Sequence, residues 1–343
     1  MEKRQCAVEG MGMMDGFWTN KRILVTGYEG FLGSWLTKFL IHEGAQVTGI
    51  DVRTRRRETV LTAEELASVD IVKGTVEDYG LLERVCKRRR IGFVFHLAAR
   101  SLVGECYEDP LDAFSVNIRG TWNVLEACRM NRAVKGVIIA SSDKAYGSHE
   151  RLPYREDFAL RGDHPYDASK SCADILSNTY FNTYQVPVCI TRCGNLYGPG
   201  DFNFSRIVPD AIRCALTGRR LFIRSDGRFI RDYVYVKDIA LAYMLLARKM
   251  LTTGVSGQAF NFSDEKPLSV IAIVNAVYRC TGRKPDYALL NKAQYEIKRQ
   301  YLCSRKARRV LGWRPRYSLE TGLRETVRWY ASMLQGGRHD KRR

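Results

Sequence analysis

The segment TGYEGFLG, residues 26 to 33, restricts the fold of this 343-residue chain more than any other stretch. It follows the apolar run RILV and opens FLGSWLTKFLIHEG, a segment with helical spacing of its apolar residues. Gly27, Gly30 and Gly33 permit a tight turn between strand and helix, and they let a pyrophosphate approach backbone N–H groups at the helix N-terminus. This order predicts the first unit of a parallel sheet that binds a dinucleotide.

The same alternation continues along the first two hundred or so residues. Short β-rich runs (AQVTGID, GFVFHLA, KGVIIASS, PVCITRC) alternate with helical segments (TWNVLEACRM, YDASKSCADILSNTYFNTY). We therefore expect an α/β fold, a Rossmann-type doubly wound parallel sheet with helices on both faces. After residue 195, loops rich in Gly, Pro and Arg separate the helices. This change predicts a smaller C-terminal substrate-binding lobe at the carboxyl edge of the sheet.

Asp51 indicates which dinucleotide is bound. It ends the second predicted strand, 18 residues after Gly33, where a carboxylate accepts hydrogen bonds from the adenosine ribose hydroxyls. A carboxylate there repels a 2′-phosphate, which favours NAD. Arg53, Arg55, Arg56 and Arg57 follow at once and leave NADP as the alternative, because arginines can hold that phosphate.

A second motif, YDASK, places Tyr166 and Lys170 on one face of a long helix. The ammonium can lower the pKa of the phenol and hold the nicotinamide ribose, which makes Tyr166 a candidate proton acceptor. Ser142, at the end of the strand KGVIIA, can hydrogen-bond the reacting alcohol.

Composition bounds the remaining possibilities. The chain is 45% hydrophobic and holds no run of about 18 apolar residues, and its N-terminal stretch lacks the apolar core of a signal peptide, so we expect a cytoplasmic protein without membrane contact. The ten scattered cysteines are interpreted as reduced core residues, and the five histidines predict no metal site.

The net charge of +18 is concentrated in RTRRR, KRRR, RKARR and the tail RHDKRR. These runs are typical of solvated surface, although an anionic ligand or nucleic acid would also fit.

The motifs together resemble the extended short-chain dehydrogenase/reductase family, specifically its nucleotide-sugar epimerases and dehydratases. TGYEGFLG, HLAA, YDASK, RCGNLYGPGD, RDYVYVKDIA and KARRVLGWRP carry the resemblance, which covers about residues 17 to 333. It implies an NAD-binding domain at 17–200 with a return at 232–262, a lobe for a nucleoside diphosphate hexose at 201–231 and 263–335, and disordered tails at 1–16 and 336–343. It also implies a homodimer, commonly formed through the helix after Tyr166, and further cofactor contacts at Phe31, Leu32, Asp78, Leu97, Ala98 and Ala99.

The segment SSDKAYG bears on the reaction. A 4,6-dehydratase must remove the carbon 5 proton and protonate the carbon 6 hydroxyl, and dehydratases of the family carry an acid directly after the triad serine. Asp143 occupies that position, and the triplet SDK is similar to the CDP-glucose 4,6-dehydratase branch. Lys144 is then the carbon 5 base if burial lowers its pKa, or otherwise a group that orients Asp143 or stabilises the enolate.

Two other functions remain as alternatives. A 4-epimerase needs only oxidation and reduction at one carbon. A non-catalytic or nucleic-acid-binding protein on this fold would be expected to lack Ser142, Tyr166 or Lys170, and all three are present.

The substrate contacts are predicted from position. Asn195 matches the family asparagine that contacts the sugar diphosphate, and Arg231 and Arg299 match positions where arginines bind phosphates. Arg206 is a further candidate from its place in the second lobe. Each arginine also fits a role as a surface charge.

Overall fold

A computed structural model describes residues 16–54, 59–292 and 297–339. Its main sheet has seven strands in the order β11-β6-β5-β4-β1-β2-β3, and every neighbouring pair is parallel. This confirms the predicted Rossmann-type α/β fold. The strands are β1 (Arg22–Thr26), β2 (Gln46–Asp51), β3 (Asp70–Lys73), β4 (Phe93–His96), β5 (Gly136–Ala140), β6 (Val188–Cys193), β7 (Asn195–Tyr197), β8 (Leu221–Ile223), β9 (Ile230–Arg231), β10 (Tyr233–Tyr235), β11 (Ala259–Phe262), β12 (Leu268–Ser269), β13 (Tyr287–Leu289) and β14 (Arg299–Gln300).

Helices cover both faces of this sheet and build the second lobe. They are α1 (Phe31–His42), α2 (Ala63–Ala67), α3 (Tyr79–Arg88), α4 (Val103–Glu108), α5 (Pro110–Phe114), α6 (Gly120–Arg129), α7 (Pro165–Tyr184), α8 (Ile207–Thr217), α9 (Val236–Lys249), α10 (Val270–Thr281) and α11 (Leu319–His339). A π-helical turn at Ser115–Arg119 leads into α6, and another lies at Ala307–Leu311. A 3₁₀ turn covers Asp143–Tyr146.

The main sheet is buried on both sides, which explains the continuous apolar runs of its strands. Leu24 and Val25 are successive residues of β1, both without solvent exposure, and they point to opposite faces. Val25 packs in the core formed with α1 and α9, whereas Leu24 packs in the core formed with α3 and α6. The strand pattern therefore requires a helical layer on each face.

The smaller lobe has its own core. Helices α8, α10 and α11 bury Ile212, Val277 and Leu323 against one another, together with Leu221 of β8. Strands β8 and β13 pair in parallel, and β9 pairs with both β12 and β14. This lobe lies at the end of β6, where β7 and β10 form a short parallel pair.

Several predicted features can be compared with these elements. Strand β11, from late in the chain, joins β6 in the main sheet, and α11 continues to His339, past the predicted limit at residue 335. The nine cysteines of the described residues are free thiols. Residues 1–15, Arg55, Arg56, Arg57 and residues 340–343 lie outside the described part. Within that part, no helix has the length and apolar character needed to cross a membrane.

Candidate active site

The glycine turn after β1 is shaped for a phosphate group. Gly27 has a φ of 71°, and a Cβ there would lie 2.9 Å from the amide nitrogen of Ala98. A Cβ on Gly33 would overlap the carbonyl oxygen of Gly27, so the helix can start this close to the turn only with glycine. Gly30 caps α1 without any side-chain hydrogen bond. The N-terminus of α1, with Phe31 and Leu32 in its first turn, therefore fits the pyrophosphate of a dinucleotide.

The neighbouring strand ends complete this part of the site. Asp51 is buried at the end of β2, and its Oδ1 accepts a hydrogen bond of 3.1 Å from the Arg53 amide. The amides of Leu97 and Ala98 each lie 3.2 Å from Thr26 Oγ1, which holds the segment before Ala99 against the glycine turn. These positions fit the adenosine ribose and the cofactor cleft.

Asp78 has a structural function that the sequence prediction did not include. Its side chain accepts a hydrogen bond of 2.9 Å from the Leu81 amide and caps the N-terminus of α3. This capping contact explains why an aspartate occupies position 78 without any contact to a ligand. A contact of Asp78 with the cofactor stays a prediction.

The structure brings Ser142, Tyr166 and Lys170 together at the carboxyl edge of the sheet. Lys170 is buried, donates a hydrogen bond of 2.8 Å to the Ala140 carbonyl, and places its ammonium 5.9 Å from the centre of the Tyr166 ring. Burial lowers the pKa of Lys170 to about 8. The expected lowering of the Tyr166 pKa is wrong for the chain alone, because burial raises that pKa and its hydrogen bond with Ser142 offsets only part of the rise.

A buried ion pair lies behind Lys170. Arg192 Nε donates to Asp174 Oδ2 at 2.6 Å, with 4% and 0% of the side chains exposed. The Asp174 charge favours the ammonium form of Lys170 against the effect of its burial. The sequence contained a signal for this contact that the prediction did not use: Asp174 follows Lys170 by four residues and therefore lies on the same face of α7.

Asp143 and Lys144 occupy the 3₁₀ turn after β5. Asp143 is 3% exposed, and Ser142 Oγ donates to its Oδ1 at 3.1 Å. Burial raises the pKa of Asp143, although the charges of Lys144 and Arg231 act in the opposite direction. Lys144 Nζ donates to Gln300 Oε1 at 2.7 Å. A carboxyl group and an amino group thus lie beside the Ser142–Tyr166 pair, where both can take part in proton transfer.

Two further residues at this place were not predicted. Asp167 is 3% exposed, its Oδ1 has no hydrogen-bond partner among the described residues, and burial raises its pKa to about 6. Gln300 is fully buried and contacts both residues of the Asp143–Lys144 pair. No motif marks Gln300, which is separated from Lys144 by 156 residues and meets it only through folding.

The predicted substrate residues lie around this cluster at different depths. Arg231 is 7% exposed and donates to the Ile230 carbonyl at 2.9 Å, and its charge acts on Asp143. Arg206 is partly exposed, donates to Asp201 Oδ2 at 3.2 Å, and its charge acts on Tyr166. Asn195 begins β7, whereas Arg299 is exposed on β14. Arg231 and Arg206 therefore lie close enough to act on Asp143 and Tyr166, whereas Arg299 lies at the surface.

The fold and this site define a nucleotide-binding protein of the extended short-chain dehydrogenase/reductase class. The model of a family described as GDP-mannose 4,6 dehydratase matches residues 24–326. The chain belongs to this family.

Individual relatives agree with that assignment. The CDP-glucose 4,6-dehydratase of Salmonella typhimurium is 31% identical over 340 residues, with 93% of each chain covered. The dTDP-glucose 4,6-dehydratase of Bacillus anthracis, solved in complex with NAD, superposes with a TM-score of 0.81 at 27% identity, covering 92% of this chain and 98% of that one. The UDP-glucose 4-epimerase of Thermotoga maritima, solved with UDP-glucose, has a TM-score of 0.83 at 28% identity, with 91% and 99% covered.

These comparisons bear on three predictions. The predicted family resemblance is confirmed, and so is NAD as the cofactor, since solved relatives of both kinds contain it. The family is one of hydro-lyases, which agrees with the prediction of an enzyme of lyase type.

Proposed function

We propose that the protein is a nucleotide-sugar 4,6-dehydratase, which converts a nucleoside diphosphate hexose to its 4-keto-6-deoxy derivative. The observation that carries this proposal is Asp143, a buried carboxyl with a raised pKa that is hydrogen-bonded to Ser142 beside Tyr166. A carboxyl that stays protonated to higher pH can donate a proton to a leaving hydroxyl. A 4-epimerase has no leaving group and no need for this acid.

Three side chains in the proposal, those of Tyr166, Lys144 and Asp143, each move one proton, and Ser142 and Lys170 assist them. Bound NAD would supply the redox chemistry, as a hydride acceptor for carbon 4 and a hydride donor for carbon 6. Tyr166 Oη takes the proton of the carbon 4 hydroxyl, with Ser142 orienting that hydroxyl and Lys170 providing positive charge. Lys144 Nζ takes the carbon 5 proton, which is acidic beside the ketone, and Asp143 protonates the carbon 6 oxygen as its bond to carbon breaks and water leaves.

The substrate class follows from the charges around the cluster. Arg231 and Arg206 lie on the lobe side of the Asp143–Tyr166 pair, where guanidinium groups would bind a diphosphate. Within that class we favour a CDP-hexose because the triplet Ser142-Asp143-Lys144 is similar to the CDP-glucose branch and the Salmonella typhimurium relative is a CDP-glucose 4,6-dehydratase.

The experiment is a product analysis with a matched variant. Purified protein incubated with CDP-, UDP-, GDP- and dTDP-hexoses should release a product that has lost one water, as read by mass spectrometry. Asp143→Asn keeps the size of the side chain and removes the proton donor, so elimination should slow by roughly 100-fold or more while reduced cofactor accumulates. A product that keeps its 6-hydroxyl, with Asp143→Asn as active as the wild type, favours the epimerase.

The proposed acid has a pH dependence with a definite sign. Asp143 must be protonated to act, and its pKa is raised, so elimination should persist to higher pH than an ordinary aspartic acid allows and fall as pH rises through the raised pKa. The falling limb should be missing in Asp143→Asn. If Asp143→Asn kept the same fall in rate at high pH, that fall would have to come from the titration of another group.

We also propose a homodimer. Helices α5, α6 and α7 pack side by side and expose Leu111, Trp122 and Ile175 by 81%, 42% and 57%. Large apolar side chains on adjoining helices fit an interface between two copies of the chain.

A further inference from the structure

Gln300 links the two residues of the proposed acid–base pair. Its Oε1 accepts the hydrogen bond of 2.7 Å from Lys144 Nζ, and its Nε2 donates one of 2.9 Å to the Asp143 carbonyl oxygen. An ammonium can only donate and a carbonyl can only accept, so one orientation of the amide satisfies both contacts. The side chain has no solvent exposure. The position of Lys144 Nζ is therefore fixed by a neutral group that is itself held in one orientation.

The strand that carries Gln300 is anchored to the predicted phosphate-binding residue. Gln300 is paired with Arg231 in the parallel register of β14 and β9. Two residues further on, the Leu302 amide donates to Asp232 Oδ2 at 2.6 Å. Arg231 and the turn that carries Asp143 and Lys144 are thus joined through two paired strands.

The charge of the group that accepts a hydrogen bond from Lys144 Nζ affects whether the lysine can act as a base. The charges of Asp143 and Lys144 act on each other, and the other charged or titratable groups that interact with one of them are Tyr154, Tyr166, Asp167, Cys193, Arg231 and Asp232. Carboxylates at this place favour the ammonium form of Lys144. An amide oxygen accepts a hydrogen bond from an amine as well as from an ammonium, so it can hold Nζ in both protonation states and direct the lone pair of the amine.

We propose that Gln300 is a positioning residue for the elimination step, which holds Lys144 Nζ against carbon 5 while leaving it free to gain and lose a proton. This inference rests on the proposed dehydratase function. Gln300 touches neither substrate nor cofactor in this account and acts through Lys144.

Two substitutions separate the hydrogen bonds from the charge. Gln300→Met keeps the length of the side chain and removes both hydrogen bonds, so the kcat for the 4-keto-6-deoxy product should fall roughly tenfold at an unchanged KM, with reduced cofactor accumulating. Gln300→Glu keeps the shape and adds a carboxylate that favours the ammonium, so the rising limb of the pH profile for elimination should move up by about one pH unit or more. NAD binding and the thermal midpoint serve as the controls for folding.

A double-mutant cycle with Lys144→Met decides whether Gln300 acts through Lys144. If it does, Gln300→Met should change elimination less than about twofold in the Lys144→Met background, although it costs tenfold in the wild type. An equal loss in both backgrounds, a loss confined to KM, or a Gln300→Glu profile that superposes on the wild type overturns the proposal.

The wild-type assay distinguishes this failure from that of the proposed function. If the wild type releases the 4-keto-6-deoxy product and Gln300→Met matches it, only the role of Gln300 is wrong. If the wild type releases no such product from any of the four nucleotide hexoses, both proposals are overturned.

Discussion

At the scale of single residues, burial determines the chemistry of the candidate site more than sequence neighbours do. Lys170 was expected to lower the pKa of Tyr166, but desolvation raises the pKa of the phenol and lowers that of the ammonium. Desolvation disfavours each charged form, and it is the largest contribution for both residues. The motif therefore identifies the pair but not its protonation states.

This difference makes a prediction about Tyr166. Because the phenol must lose its proton before it can accept one, carbon 4 oxidation should speed up as pH rises towards the raised pKa. Tyr166→Phe should lower turnover by roughly 100-fold or more and abolish that rise, while NAD binding measured by calorimetry is retained. Tyr184→Phe, at an exposed position, is the matched control. Wild-type turnover in Tyr166→Phe would show that another group accepts the proton.

At the scale of elements, apolar periodicity and turn residues in the sequence predicted the strands and helices that form from contacts between near neighbours in the chain. The run RILV became β1 and FLGSWLTKFLIH became α1, since apolar periodicity and the glycine turn act over a few residues. Strand β14 has only two residues, Arg299 and Gln300, and exists through its pairing with β9, which no local pattern records. For the same reason the sequence could single out Asp143 as a candidate acid, whereas its contact with Gln300 could not be predicted.

The turn between β1 and α1 permits a sharp test of the cofactor site. Gly33→Ala places a Cβ on the Gly27 carbonyl, so α1 must shift and NAD binding should weaken by roughly tenfold or more. Gly104→Ala is the matched control, because no atom lies within 4 Å of its added Cβ and it lies within a helix. Calorimetry of both variants gives the comparison. Wild-type affinity in Gly33→Ala would mean that the cofactor does not depend on this turn.

At the scale of the whole molecule, partly buried polar contacts join the two lobes. Lys237 of α9, on the main sheet, forms an ion pair with Glu325 of α11, and Tyr235 donates to the same carboxylate at 2.6 Å. Lys237 also lies 4.5 Å from the centre of the Trp35 ring on α1. These contacts fix the position of the second lobe over the carboxyl edge of the sheet, where the candidate site lies.

The proposed dimer can be tested at the exposed helical surface. Ile175→Asp places a charge among the apolar side chains of α5 to α7, so it should convert a dimer to a monomer in sedimentation experiments. Leu251→Asp makes the same change at an exposed leucine outside these helices and should leave the dimer intact. A wild-type chain that sediments as a monomer at micromolar concentration contradicts the proposal.

The most direct test of the dehydratase assignment is a reaction in heavy water with the nucleotide hexose that the protein accepts. If Lys144 removes the carbon 5 proton and Asp143 assists the loss of water, that proton is replaced from solvent while the hydride returns to carbon 6 internally. Nuclear magnetic resonance should then show a 4-keto-6-deoxy product with one deuterium at carbon 5. A product that keeps its 6-hydroxyl, is inverted at carbon 4 and carries no deuterium at carbon 5 would contradict it.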